Sequence, residues 1–283
     1  MLIAHEDSLK FINDQVPVFP FRGRWYYNNT RYEIAGLILD KFRGSWADIF
    51  REQFFGPLDM RRTFCKRPPE ETENVSKAYN TLDNGTSCEI STVKSGEGSF
   101  GGSSGSMFSC VQDLLKIYAE IISSIRNQPS TRTKRKDIIP AKQINHLFSH
   151  KLAMRDPSGG RTAATCTCGL ARVTLPGAMG YIGNNPSLLP DGKMPVVGRG
   201  VALTTVLWHQ GALPGALSAI AMLPDIDTSI VVLSNSLALN DCADWVLQLL
   251  IEEILCCPDP NDYIAHAKIS ASRTLDWQTQ LRL

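Results

Sequence analysis

GVALTTVLWHQGALPGALSAIAMLPDIDTSIVVLS, residues 200 to 234, contains three short apolar or β-branched runs separated by HQGALPG (209–215) and PDIDT (224–228). Runs of this length between glycine- and proline-rich breaks predict consecutive antiparallel strands joined by turns. His209 then falls at the mouth of a turn. NDCADWVLQLLIEEIL follows directly and predicts a closing helix capped by Asn240 or Asp241.

Upstream of these strands the periodicity is helical. TRYEIAGLILDKFRG sets Thr30 and Glu33 at capping-box spacing, carries Ile34, Ile38, Leu39 and Phe42 as its apolar side, and stops at Gly44. Ser45 opens WADIFREQFF, which ends at Gly56-Pro57. Ser109 and Gln112 frame VQDLLKIYAEIISSI, where Val111, Leu114, Leu115, Tyr118, Ile121, Ile122 and Ile125 form one stripe. Helices first and an antiparallel sheet afterwards predict an α+β or α/β layered domain. Residues 158–198 read as a long irregular loop. After Cys257, PDPND opens a tail with no evident core partner.

Composition narrows the function. The 283 residues include 29 Lys and Arg against 28 Asp and Glu, a net charge of +1, so no broad field draws in nucleic acid or anionic lipid. The basic run TRTKRKD (131–137) reads as a solvated loop. MLIAHEDSLKFIND has acidic residues where a secretory leader needs an apolar run, and no apolar segment is long enough to span a bilayer, so a cytoplasmic location is expected. Eight cysteines are too dilute for a disulfide scaffold, and Cys166 with Cys168 lack partners for zinc, so reduced, mostly buried thiols are expected. No metal or cofactor is implied, and nothing fixes the oligomeric state.

Two short motifs carry possible chemistry. His209-x-Gly211 could place an imidazole beside a strand along which substrate lies, or could be a loop histidine. WYYNNTRY offers Tyr-x-Asn in two registers, Tyr26 with Asn28 and Tyr27 with Asn29, just before a helix. A phenol so placed relays protons when a nearby cation lowers its pKa from about 10. Each motif alone fits a structural role equally well.

In order along the chain, the surroundings of these motifs resemble the serine β-lactamase, penicillin-binding protein and esterase family of the class C type. YNNTRYEIAGLILDKFRGSWADIFREQFFGPLDMRRT resembles the Tyr-x-Asn segment with its helices and Pro-Leu-x-Met turn. GGSSGSMFSCVQDLLKIY is similar to the family's Gly-Gly, Ser, Asp-Leu helix start, and residues 208–236 resemble its third motif with the strands that follow. The likeness extends over roughly residues 15 to 257, and the loop NNPSLLPDGKMPVVG is similar to that of filamentous fungal members.

The resemblance implies a five-stranded antiparallel sheet with covering helices, an all-helical region, and acyl transfer from a small-molecule ester or amide through a serine nucleophile. It selects Tyr27 and His209 as catalytic residues, Asn29 as the group orienting substrate or the family's lysine, Gly211 as the gap that admits substrate to the strand, and Ala212 as an oxyanion donor. In the family, a Ser-x-x-Lys helix lies well ahead of Tyr-x-Asn, but the 26 residues before Tyr27 hold none; the chain's one Ser-x-x-Lys, Ser91 to Lys94, is followed by glycines that oppose a helix. The expectation is therefore an N-terminally truncated β-lactamase-like domain over residues 1–257, with 258–283 a linker and the start of a further region. Its activity is impaired as written, and ester hydrolysis or transesterification on a secondary metabolite is favoured over β-lactam cleavage.

Two alternatives stand beside this. The chain could be an inactive ligand-binding remnant, since losing an acyl-transfer nucleophile costs on the order of 10⁶ in turnover. GGSSG (101–105) also fits the Gly-x-Ser-x-Gly elbow of an α/β-hydrolase, with Ser103 as nucleophile.

Overall fold

The computed structural model describes residues 3–21, 23–92, 95–127, 141–155 and 161–281. The basic run at 131–137 and Lys94 lie outside them. Helices are α1 (Ser8–Asn13), α2 (Thr30–Arg43), α3 (Trp46–Phe50), α4 (Val111–Ile125), α5 (Ala141–Phe148), α6 (Asn185–Leu188), α7 (Cys242–Ile254) and α8 (Tyr263–Leu281). Strands are β1 (Ala78–Thr81), β2 (Ser87–Ile90), β3 (Leu152–Arg155), β4 (Arg161–Cys166), β5 (Ala171–Leu175), β6 (Gly177–Ala178), β7 (Val196–Val197), β8 (Thr204–Leu213), β9 (Ala216–Leu223), β10 (Thr228–Ser234) and β11 (Ser236–Leu237).

The principal sheet has the order β10-β9-β8-β5-β4-β3 and is antiparallel throughout, six strands rather than the expected five. β8, β9 and β10 are the consecutive strands expected from the sequence. The stretch 209–215 is not a turn, however: β8 runs on through His209 to Leu213, and only Pro214-Gly215 turns the chain into β9. Gly215 has φ 83°, which a Pro-Gly turn of this kind requires at its second position. Its N–H donates to Asn80 Oδ1 at 3.1 Å, tying the turn to β1.

Alternation along β8 and β9 decides which side chains meet which helices. Val206, Trp208, Leu217, Ala219, Ala221 and Leu223 join Ala243, Leu247 and Ile251 of α7 in the main core. The opposite face offers Leu207 and Met222 to Tyr118, Ile121, Ile122 and Ile125 of α4 and to Phe148 of α5. A third cluster, Trp46, Ala47, Phe55, Leu58, Met60 and Cys65, fills the helical region around α3.

Helix ends agree with the expectation in part. Ser45 Oγ accepts from the Ala47 N–H, and Asp241 rather than Asn240 caps α7 by accepting from the Asp244 N–H. Thr30 and Glu33 form no capping box: Asn28 Oδ1 accepts from the Thr30 N–H at 2.8 Å. Ser109 does not cap α4, since Cys110 is its N-cap residue and the Ser109 hydroxyl bonds Thr63 Oγ1.

α2 also reverses its expected face. Glu33 and Gly36 are its buried residues, whereas Ile34, Ile38 and Phe42 are exposed, Phe42 by 73%. Glu33 is drawn inward because its Oε2 accepts from the Gly101 N–H and from Ser103 Oγ, both at 3.0 Å. These charge-assisted bonds fix the rotation of the helix.

Three further expectations are corrected. Residues 158–198 are not one irregular loop, because β4 and β5 pair there. The tail has a partner: Tyr263 and Ser270 of α8 are buried, and Trp245 Nε1 donates to Ser270 Oγ at 3.2 Å. The eight cysteines are free, but only Cys65 is buried, and Cys88, Cys168 and Cys256 are exposed.

Glu33→Ala removes the acceptor of two partly buried donors and is expected to cost about 1–3 kcal/mol. Ile38→Ser, on the face that the sequence pattern would bury, is expected to change stability by less than about 0.5 kcal/mol. Urea unfolding of both variants checks the contrast, and equal losses would contradict this helix orientation.

Candidate active site

β8 builds one wall of the site. β5 pairs with it only as far as Trp208, opposite Ala171, while β9 continues beside it to Leu213. From His209 to Leu213 one edge of the strand therefore has no strand partner among the described residues, the arrangement that lets an extended ligand lie alongside. Trp208 and Gln210 point to the α7 side, so His209 and Gly211 point to the other.

Tyr27 supplies the facing wall. It sits three residues before α2, and its ring centroid lies 6.1 Å from that of His209 at an interplanar angle of 46°. Tyr26 instead packs on Phe19 at 5.6 Å, and the Arg24 guanidinium lies 3.4 Å from the Phe19 ring centroid. Of the two Tyr-x-Asn registers, the one that meets His209 is Tyr27 with Asn29. Asn29 is the exposed N-cap residue of α2, and its side chain makes no capping hydrogen bond. Asn28 takes that task, and the Asn29 side chain stays at the surface.

Gly211 pairs with Ser218 across the sheet, and a Cβ at position 211 would stand 2.6 Å from Ser218 Oγ. Any larger residue would displace that hydroxyl. Ala212, opposite Leu217, is exposed.

The electrostatics are those of two neutral rings. Burial pushes the His209 imidazole below its usual 6.5, outweighing a backbone hydrogen bond to Gln210 that acts the other way. Burial raises the Tyr27 phenol. A phenol acting as base needs a cation to hold its proton affinity down, and among the described residues no such charge opposes the rise. Neither ring brings a fixed positive charge to the cleft.

The surroundings add residues that the motifs do not contain. The Tyr32 hydroxyl reaches the β4–β5 turn, 3.6 Å from where a Cβ of Gly169 would stand. Burial raises this phenol too, followed by the charges of Cys168, Tyr27 and Cys166. The sequence signal for Tyr32 was its place in the first turn of α2, close behind Tyr27, but nothing local indicated that β4 and β5 would pass beside it.

Ser103 stands apart from any elbow. It lies in a 3₁₀ turn, Gly102–Ser104, that follows turns rather than a strand, and its hydroxyl donates to the Tyr32 carbonyl and Glu33 Oε2 at 3.0 Å each. That geometry removes the strand-turn-helix context that the α/β-hydrolase reading of Ser103 needs. Ser91 is exposed and outside any helix. Among the described residues no group of three or more His, Cys, Asp or Glu could hold a metal ion, and no helix is long and apolar enough to cross a membrane.

Residues 3–253 match the Beta-lactamase family. No curated protein sequence matches the chain. Among solved structures, a D-stereospecific amidohydrolase from Streptomyces sp. is 20% identical with a TM-score of 0.55, covering 84% of this chain and 57% of its own. The octameric penicillin-binding protein homologue from Pyrococcus abyssi is 18% identical with a TM-score of 0.60, over 89% of this chain and 48% of its own. A beta-lactamase from Sulfitobacter sp. EE-36 is 15% identical with a TM-score of 0.59, over 98% and 65%. The chain thus spans about half to two thirds of the length of these structures, and the likeness is one of fold.

A histidine with a depressed pKa stabilises the fold above its unfolded value of 6.5, and that contribution is lost as pH falls below it. NMR titration of the imidazole is expected to give a His209 midpoint below 6.5. A midpoint above 6.5 would contradict the burial of this ring.

Proposed function

The chain belongs to the beta-lactamase family, and from that premise we propose that the cleft between Tyr27 and His209 is the proton-handling face of an acyl-transfer site for a small-molecule ester or amide. The observation that carries the reading is the 6.1 Å approach of the two rings, from positions 182 residues apart (209 − 27), beside the open edge of β8. Tyr27 and His209 pass the proton, and Asn29 orients the substrate. Gly211 admits substrate to the strand, and the Ala212 N–H contributes to holding the oxyanion.

The charge state narrows the substrate. A neutral imidazole offers no fixed cation to a carboxylate, so the site suits an uncharged ester or amide better than an acidic one. Ester hydrolysis, or acyl transfer to an alcohol in the making of a secondary metabolite, fits this preference better than cleavage of a carboxylate-bearing β-lactam.

Acyl-enzyme chemistry also needs an activated hydroxyl. The sequence has no Ser-x-x-Lys ahead of Tyr27, Ser91 is exposed, and Ser103 is engaged by Glu33. The 283-residue chain by itself is therefore expected to bind a neutral aryl ester without forming a covalent adduct. Calorimetric titration with the ester, together with labelling by a fluorophosphonate, tests this. His209→Ala and Tyr27→Phe are each expected to weaken ester binding by about tenfold. Binding untouched by both substitutions would overturn the site, and a stoichiometric fluorophosphonate adduct would overturn the expected lack of acylation.

A further inference from the structure

Behind His209, on the other face of β8, lies a closed polar network inside the main core. Its members are Gln210 of β8, Asn185 of α6, Asp241 capping α7, and Asp244 and Gln248 within α7; all five are at most 3% exposed. Asp244 accepts from three amides: Gln210 Nε2 at 2.6 Å, Gln248 Nε2 at 2.9 Å and Asn185 Nδ2 at 3.1 Å. Asn185 also spans the Asp241 backbone, donating to its carbonyl and accepting from its N–H.

The donors run out at that point. Asp241 Oδ1 accepts from the Asp244 N–H, but Asp241 Oδ2, Gln210 Oε1 and Gln248 Oε1 are buried with no hydrogen-bond partner. These three orphans of the network are all acceptors; on the same face of β8 the Trp208 Nε1–H is a buried donor that likewise has no partner. Among the described residues neither carboxyl has a cationic partner within ion-pair distance. Two adjacent buried carboxylates without a counter-charge cost far more than one carboxylate and one neutral acid.

We infer that Asp241 is held as a neutral acid, its proton on Oδ2 donated to Gln210 Oε1, and that it is a positioning residue that locks the strand carrying His209 onto α7. Neighbouring geometry agrees. A Cβ at Gly183 would stand 2.4 Å from Asp241 Oδ2 and 3.6 Å from Gln210 Cβ, so this oxygen and the Gln210 side chain flank the same small space. One proton on Asp241 turns a surplus acceptor into a donor and removes one of the two charges.

Other titratable groups face the pair from each packed element. α7 contributes Asp244 and Cys242, and the thiol of Cys242 is raised by burial and then by the Asp241 charge. The segment between β6 and α6 contributes Tyr181, which packs against the main core, and α8 contributes Tyr263, whose phenol feels Glu252 and Asp244. β8 presents the Gln210 amide and the Trp208 indole on this face, neither of them titratable, with His209 on the other. None of these supplies a cation. Burial, and then the charge of Asp244, push the Asp241 carboxyl up from its ordinary 3.8 to about 7.

Because the folded chain binds this proton more tightly than the unfolded chain, its contribution is complete below pH 3.8 and is lost as pH rises through about 7. The direction is opposite to that of His209. The inference rests on the proposed site only in treating His209 as the residue positioned; the proton is tested without turnover, so failure of the acyl-transfer reading leaves it standing.

Denaturant unfolding of the 283-residue chain and of Asp241→Asn across pH 5 to 8.5 decides it. Asparagine supplies the same donor without titrating. The folded-to-unfolded ratio of the parent chain is expected to fall relative to that of Asp241→Asn by up to about tenfold per pH unit between pH 5 and 7. Equal pH slopes, or a parent chain stabilised at high pH by added Na⁺ or K⁺, would overturn it. Should Asp241→Asn fail to fold, the infrared spectrum of the parent chain serves: a protonated-carboxyl C=O band present at pH 6 and lost by pH 8.5 supports the assignment, and its absence at pH 6 contradicts it. For positioning, the His209 ring resonances should shift with the Asp241 titration in the parent chain; resonances indifferent to it would refute the mechanical link.

Discussion

The structure turns on the way β8 is paired. Held on both edges as far as Trp208 and on one edge beyond, it is fixed in the sheet yet leaves five residues facing an open side. Strict alternation then sends Trp208 and Gln210 into the core beneath α7 and sends His209 and Gly211 toward the α2 side. A slip of one residue would exchange these sets, putting an imidazole into the apolar core and a tryptophan into the cleft. The Pro214-Gly215 turn and its bond to Asn80 guard against such a slip at the end of the strand.

The same strand separates two electrostatic regimes. On its cleft face, burial disfavours the charged form of the His209 imidazole and raises the partly exposed Tyr27 phenol. On its core face, an excess of acceptors around Asp244 calls for a proton. Both follow from desolvation, which acts in opposite directions on an imidazole and a carboxyl. The pH window in which both sides of β8 are in their low-energy state therefore lies between the two titrations.

Much of this was legible in the sequence where the signal is local. The three apolar runs with Pro-Gly and Pro-Asp breaks marked β8 to β10, and the Asn240-Asp241 pair marked the start of α7, where Asp241 is the cap. The last five residues of β8 were hidden because His-Gln-Gly has the composition of a turn, and only pairing with β9 makes it strand. β4 and β5 were missed because their polar alternation, in RTAATC and ARVTL, is weak beside the surrounding glycines. The face of α2 was misread because its apolar period is overruled by a tertiary contact, Glu33 reaching the backbone of Gly101, which no helical wheel contains. For the site, Tyr-x-Asn and His-x-Gly were visible as motifs, but their meeting depends on contacts across most of the chain. The choice between the two overlapping tyrosine registers came from family resemblance, and the ring contact lies at Tyr27.

The central claim is that these two rings share one cleft. Nuclear Overhauser contacts between the ring protons of Tyr27 and those of His209 in the intact chain test it directly. The account predicts cross-peaks between the two rings that vanish in Tyr27→Ala. Cross-peaks from His209 only to core residues beneath α7, with none to Tyr27, would contradict it.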